Sequence, residues 1–221
     1  GSKNDQRAGF PHKTEESRKY TAYTKTLHLE QMMAQAKTLS KAELKRVLDV
    51  TKACSKYAER DCTMLLLTHW CGMRVGEVAA LRVEDVLDSN GAVKAEFTLD
   101  AKRTKSKRAR AVYVPARMQK ELQRYTQQTL DSAHSGFLFT TQKSQRFSSN
   151  AATQLLQRLY ARAGITGATS HSGRRTFITE LAAKGTSVRV LAELAGHQSI
   201  ATTQRYIDIQ PHMLRNAVEL L

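Results

Sequence analysis

Residues 194–206 read Leu-Ala-Gly-His-Gln-Ser-Ile-Ala-Thr-Thr-Gln-Arg-Tyr, and where this stretch breaks decides what the C-terminal third of the chain can build. On one unbroken helix, His197 and Tyr206 would point about 180° away from each other and sit ~13.5 Å apart along the axis. They could not share a site. The sequence supplies a break: Gly196 suits the left-handed residue after a helix that closes near Ala195, and Ser199 suits the N-cap of a new helix starting at Ile200. His197 is then expected on a tight turn and Tyr206 on the helix that follows, where the two side chains can meet.

Working upstream, His171-Ser172-Gly173-Arg174-Arg175-Thr176-Phe177 places His171 and Arg174 three residues apart. On one helix face, their imidazole and guanidinium can converge on one anion. Further back, Gly72-Met73-Arg74-Val75-Gly76-Glu77-Val78 sets an arginine at a helix start, with a carboxylate three residues later to orient it. Taken singly, each of these has an ordinary explanation as a surface pair or a packing tyrosine. Their combination is what carries weight.

The remaining pattern frames these motifs. Residues 1–37 are polar and basic and show little apolar periodicity until Leu27, Leu29, Met32 and Met33, which suggest a loose tail or linker closing in a short helix. Gly1-Ser2 reads as a scar of tag removal. The main domain is expected over 38–221, opening with Ser40 as an N-cap and Glu43 completing a capping box. Apolar residues at Leu44, Val47 and Leu48, then at Met64 to Leu67, predict two helices, with a third running from Val75 to Leu81. Val93, Ala95, Phe97 and Leu99 alternate, Val112-Tyr113-Val114 follows after a basic run, and together they predict a hairpin with a long connection. Helices are expected at 116–129 and about 149–163, a short strand at Phe137-Leu138-Phe139, and helices from Ser170 onward with breaks at Gly185, Gly196 and Pro211. The result is a mostly helical α+β domain with a small antiparallel hairpin.

Composition narrows the class of partner. The 221 residues carry 35 Lys+Arg against 20 Asp+Glu, a formal charge of +15, which calls for an acidic partner such as nucleic acid or an anionic membrane surface. The basic residues concentrate in Lys102-Arg103-Thr104-Lys105-Ser106-Lys107-Arg108-Ala109-Arg110, a stretch without an acid that reads as a solvated, phosphate-seeking loop. No stretch reaches the ~18–20 apolar residues needed to span a bilayer, and the N-terminus lacks an apolar secretory run. Cys54, Cys62 and Cys71 form no C-x-x-C and have no His-rich neighbour, so neither a zinc site nor a disulfide framework is expected; they read as reduced core thiols of a cytosolic protein.

The set of Arg74 with Glu77, a lysine in the hairpin, His171-x-x-Arg174, Gly196-His197 and Tyr206 resembles the catalytic domain of the tyrosine recombinases, the phage integrase and Xer-like DNA strand-exchange enzymes. The resemblance implies that Tyr206 is the nucleophile and forms a 3′-phosphotyrosyl link, which a 5′-hydroxyl of a partner strand then attacks. Arg74 and Arg174 would clamp the nonbridging oxygens bidentately, His197 would donate a further hydrogen bond, and His171 would accept the tyrosine proton. A hairpin lysine would protonate the leaving 5′-oxygen; of Lys102, Lys105 and Lys107, Lys105 best fits the family pattern that runs on to Val112-Tyr113-Val114-Pro115. Lys102, Arg103, Lys107, Arg108, Arg110 and Arg175 would then hold backbone phosphates. No metal, ATP or other cofactor is implied. The partners would be double-stranded DNA carrying a recombination site and further copies of the chain, with a monomer or weak oligomer when free, a tetramer on DNA, and the helix at 211–221 exchanged between protomers. The setting would be the cytoplasm of a bacterium, on the nucleoid or on a phage or mobile element.

Three departures stand out. Gly173 and Arg175 replace the family's usual Leu and His around Arg174, and Ala195 stands where Leu is usual before Gly-His. Some 35 residues precede the catalytic part, too few for the helical domain that closes the clamp around DNA, so the chain is expected to be either a fragment or one of the short recombinases. Two other classes use overlapping features: a type IB topoisomerase-like relaxing enzyme, and a non-catalytic helix-turn-helix regulator.

Overall fold

A computed structural model describes residues 24, 36–103, 108–130, 136–207, 209 and 211–221, with Arg103 described for its backbone alone. The chain divides into two units, Gly1–Met32 and Met33–Leu221. Of the first, only Thr24, helical and exposed, is described. The short helix expected around Leu27 to Met33 and the tag scar therefore lie outside the described residues, as do Lys105 and Lys107.

The second unit opens as its sequence predicts. Ser40 is the N-cap of α1 (Lys41–Cys54): its hydroxyl accepts the Glu43 N–H, and the Glu43 carboxylate accepts the Ser40 N–H at 2.9 Å. This reciprocal pair satisfies two donors that the first helical turn leaves orphaned. Helix α2 (Ala58–Trp70) follows and is buried from Asp61 to His69. A helix covered on every side belongs in the middle of a domain, and α2 packs against α1, α3 (Val75–Ala79), α5 (Ala116–Thr129), α6 (Ser149–Arg162) and α7 (Ser172–Ala183). Helix α3 is shorter than the sequence predicts, and Leu81 falls beyond it as a buried loop residue. Helices α4 (Val83–Val86), α8 (Val188–Ala195), α9 (Ile200–Gln204) and α10 (Pro211–Val218) complete the described α-helices of this unit, and a single 3-10 turn covers Ala101–Arg103. The chain breaks at Gly185, at Gly196 and before Pro211 as expected.

The predicted hairpin is β1 (Glu96–Leu99) against β2 (Arg110–Tyr113), antiparallel, with Phe97 opposite Val112 and Leu99 opposite Arg110. Alternation buries Phe97, Leu99, Val112 and Val114. The short strand expected at Phe137 to Phe139 reduces to an isolated bridge between Phe137 and Arg82. Its partner segment is extended only briefly before turning into α4, so no ladder can grow. Cys62 and Cys71 lie in the core as expected, whereas Cys54, at the end of α1, is exposed; all three are free thiols. Among the described residues no helix is long and apolar enough to cross a membrane.

The approach of α7 to α2 positions the site. A Cβ built on Gly173 would lie 2.1 Å from Thr68 Oγ1 and 2.8 Å from His69 Cδ2, closer than any side chain can come, so the glycine lets the α7 backbone rest on α2. One turn away in space, Gly72 has φ +63° and a Cβ there would meet the Phe177 ring at 2.4 Å. His69 is held beneath this crossing by Tyr160, its Nε2 2.9 Å from the phenol oxygen, and burial pushes its ionisation down to about 3, which leaves it neutral. Gly173→Ala is expected to cost about 1–3 kcal/mol through overpacking, read as a lower urea midpoint with the slope unchanged. An unchanged midpoint would mean that the two helices separate freely.

Candidate active site

The site begins with one buried carboxylate. Arg74 caps α3 in an extended conformation, its N–H donating to Glu77 Oε2 at 2.9 Å and its Nη1 to Oε1 at 3.0 Å. The same carboxylate takes Arg110 from β2, through Nε to Oε1 at 3.2 Å and Nη2 to Oε2 at 2.7 Å. Glu77 is almost wholly buried, and burial alone would raise its ionisation. The Arg110 hydrogen bond and charge, then the charges of Arg74 and Arg174, outweigh that and hold the carboxyl at about 2. Glu77 therefore stays an anion throughout the neutral range.

The C-terminus of α8 supplies the second anchor. A helix leaves its last carbonyls without intrahelical donors, and here three consecutive ones are taken by three different arginines. Leu194 O accepts from Arg110 Nη1 at 2.9 Å, Ala195 O from Arg174 Nη2, and Gly196 O from Arg74 Nη2 at 3.3 Å. Arg174 also donates through Nη1 to Gly72 O at 2.7 Å, and only 1% of its surface is exposed. Burial, then the like charge of Arg74, pushes the ionisation of Arg174 well down, partly opposed by Glu77. A guanidinium keeps its proton in a protein, so Arg174 remains a cation despite its burial. The Arg174 Nε is buried with no hydrogen-bond partner among the described residues.

Gly196 ends α8 in the left-handed region at φ 60°, and Ser199 caps α9 through its hydroxyl, both as the sequence predicts. A Cβ on Gly196 would strike Arg110 Cδ at 2.5 Å, so this position needs glycine for its backbone and for the arginine beside it. His197 follows on the turn, its Nδ1 2.8 Å from Thr203 Oγ1, and its ring stacks on Tyr206 with centroids 5.8 Å apart and 18° between planes. Burial, then Arg174, Arg74 and Arg110, lowers the His197 ionisation to about 3. It is neutral at pH 7. Tyr206 is buried and stands in the turn after Gln204 rather than within α9 as expected.

Two further predicted residues are placed differently. His171 is the N-cap of α7, with φ −92° and ψ −12° in the helical region and its carbonyl accepting the Arg175 N–H at 3.0 Å, so it stands at the mouth of the helix that carries Arg174 rather than within it. Arg110, expected among the solvated phosphate-binding residues, is buried against Glu77 and the Leu194 carbonyl. The alternation that buries Val112 and Val114 also turns residue 110 inward, and that period was the signal in the sequence. Lys102 and Arg108 are exposed, and Arg175 is half-buried. Thr203, also missed, is wholly buried beside His197. Among the described residues, no group of three or more His, Cys, Asp or Glu is arranged to hold a metal ion.

A phenol and a neutral imidazole thus stack beside a cluster of three arginines anchored on one helix end. The profile described as the phage integrase family matches residues 37–213, and the chain belongs to that family, the tyrosine recombinases. It is 28% identical over 184 residues to tyrosine recombinase XerA of Pyrococcus furiosus, covering 83% of this chain and 61% of that one. The crystal structure of a XerA recombinase superposes with a TM-score of 0.66 at 25% identity, over 83% of this chain and 64% of the other. XerH, a site-specific recombinase solved in a pre-cleavage complex with its difH substrate, shares the fold with a TM-score of 0.62 at 22% identity, over 83% and 54%. The chain thus spans roughly three fifths of the length of XerA relatives it matches.

The depressed ionisation of Glu77 makes the fold pH-dependent. A carboxyl held below its unfolded value stabilises the folded chain above that value and loses the contribution as pH falls toward the folded one. The stability difference between the wild-type chain and Glu77→Gln should therefore shrink between about pH 5 and pH 2, read by chemical denaturation across that window. A constant difference would separate Glu77 from the arginines.

Proposed function

We propose that residues 38–221 are the catalytic domain of a site-specific DNA recombinase that cleaves and rejoins strands through a 3′-phosphotyrosyl intermediate. The observation that carries the reading is the stacking of Tyr206 on His197 at 5.8 Å, inside the cluster where α8 carbonyls hold Arg74 and Arg174. Tyr206 Oη attacks phosphorus, its proton passes to His171, and the bond from phosphorus to the 5′-oxygen breaks. Lys105 protonates that oxygen. A 5′-hydroxyl from the partner strand then attacks the phosphotyrosyl bond and restores Tyr206. One phosphoester replaces another at each step, so neither ATP nor an activating metal is required.

The arginines supply what this chemistry lacks in water. The phosphodiester gains negative charge on reaching five-coordinate phosphorus, and fixed cations in a water-poor site stabilise it strongly. Arg74 and Arg174 take the nonbridging oxygens, His197 adds a neutral hydrogen bond, and Glu77 with Arg110 fixes the geometry. Lys102, Arg103, Lys107, Arg108 and Arg175 hold the flanking backbone of double-stranded DNA. The apolar side of α10 supports assembly on that DNA: Leu214 and Val218 are 60% and 64% exposed, and a neighbouring copy in a tetramer would cover them. Residues 1–37 serve as a basic tail or linker, and the setting is the cytoplasm.

A nicked suicide duplex bearing the recognition site should become covalently attached to the chain in EDTA, seen as a shifted band on a denaturing gel. An adduct that persists in Tyr206→Phe removes the nucleophile assignment. Relaxation of any supercoiled plasmid without a recombinant product would instead indicate topoisomerase-like use of the same chemistry. Lys105→Ala should block cleavage of ordinary DNA yet recover with a 5′-phosphorothiolate, whose thiol leaves without an acid; recovery of Lys102→Ala or Lys107→Ala instead would move that role. Arg108→Ala should lower the slope of log affinity against log salt by about 1, the loss of one phosphate contact.

A further inference from the structure

Thr203 is fully buried on α9, and its polar groups serve the two residues at the centre of the site. Its Oγ1 lies 2.8 Å from His197 Nδ1, and its carbonyl accepts the N–H of Tyr206 at 3.0 Å. We propose that Thr203 is a positioning residue that donates its hydroxyl proton to His197 Nδ1, holding the imidazole in the tautomer whose proton sits on Nε2, the nitrogen left to face the scissile phosphate. This rests on the reading of His197 as a hydrogen-bond donor to the phosphate.

The direction of the bond follows from counting protons. A neutral imidazole has one donor and one acceptor nitrogen, and a hydroxyl has one proton and two lone pairs. If Nδ1 carried the proton, Thr203 Oγ1 would accept it, and the hydroxyl proton would need a second acceptor. The Thr203 side chain makes no other hydrogen bond among the described residues, and it is out of reach of water. A buried donor left unpaired costs more than an unused lone pair on an oxygen that already takes part in a bond. With the hydroxyl donating, every proton of the pair is used.

The surroundings explain why a tautomer has to be chosen at all. A histidine usually becomes a donor at both nitrogens by taking a second proton. Here burial, joined by the charges of Arg174, Arg74 and Arg110, opposes that proton. The neutral ring can donate to a phosphate oxygen only from Nε2. In the other tautomer, Nε2 would turn a lone pair toward an anion. The same threonine fixes the backbone from which the Tyr206 ring reaches its stacking contact, so donor and nucleophile take their placement from one residue.

The test is ¹⁵N NMR of the histidine-labelled chain at pH 7, with the His197 signals identified by their loss in His197→Gln, alongside the rate of adduct formation on suicide DNA. The wild-type chain and Thr203→Ser should show protonated Nε2 and unprotonated Nδ1. Thr203→Val, which keeps the shape without the donor, should shift the ring toward the Nδ1-protonated form and slow adduct formation about tenfold to a hundredfold, as for other hydrogen bonds that orient a working imidazole, while Thr203→Ser keeps most of the rate. A wild-type ring protonated on Nδ1 overturns the proposal without any valine variant having to fold. A Thr203→Val chain with both tautomer and rate unchanged overturns it as well. If the tautomer shifts as stated while the wild-type chain forms no adduct, the threonine assignment is supported and the phosphotyrosyl reading fails.

Discussion

Three successive carbonyls at the end of α8, those of Leu194, Ala195 and Gly196, are each held by an arginine from a different part of the chain: Arg110 of β2, Arg174 of α7 and Arg74 at the start of α3. A helix end concentrates partial negative charge on carbonyls that lack donors of their own. The arginines remove that deficiency and are themselves fixed by it. The turn that follows carries His197 and leads to Tyr206, so the segment that organises the cations also delivers the imidazole and the phenol. Neither half of the site can shift without the other.

Electrostatic balance explains why the arrangement is poised for an anion. One carboxylate, Glu77, is bonded by Arg74 and Arg110, while Arg174, among the described residues, hydrogen-bonds to carbonyls and feels the Glu77 charge without contacting it. Burial of such a charge is unfavourable unless it is paired. The helix dipole and the carbonyls reduce the penalty, and a bound phosphate would remove more of it. His197 feels the same field and stays neutral, so its charge does not change with pH across the physiological range.

Much of this was legible in the sequence wherever a local rule decided the outcome. The capping box at Ser40 and Glu43, the Gly196 break and the Ser199 cap are short-range effects, and each forms where the residues call for it. The sequence placed Arg74 with Glu77 for the same reason. What it could not weigh were long-range contacts. Arg110 was grouped with its basic neighbours because charge density is visible along a chain, whereas its partner Glu77 lies 33 residues away; only the alternation with Val112 pointed inward. The tight crossing at Gly173 depends on Thr68 and His69 more than 100 positions earlier. Phe137 to Phe139 had strand composition but no extended partner long enough to pair with. Tyr206 fell outside α9 because that helix ends at Gln204.

The acceptors that anchor the three arginines are main-chain atoms, and this bears on how such a site tolerates drift. A carbonyl oxygen is present whatever side chain the codon specifies. Position 195 carries Ala where the resembling enzymes usually carry Leu, and the peptide group of Ala195 still receives Arg174. Substitution at 194 or 195 can therefore alter the packing of α8 while leaving the anchorage intact. Gly196 has no such latitude: its left-handed backbone and the Arg110 side chain beside it both exclude a Cβ. Within three adjacent residues, the anchorage at two positions is indifferent to the side chain, whose choice is limited by packing alone, and the third is pinned.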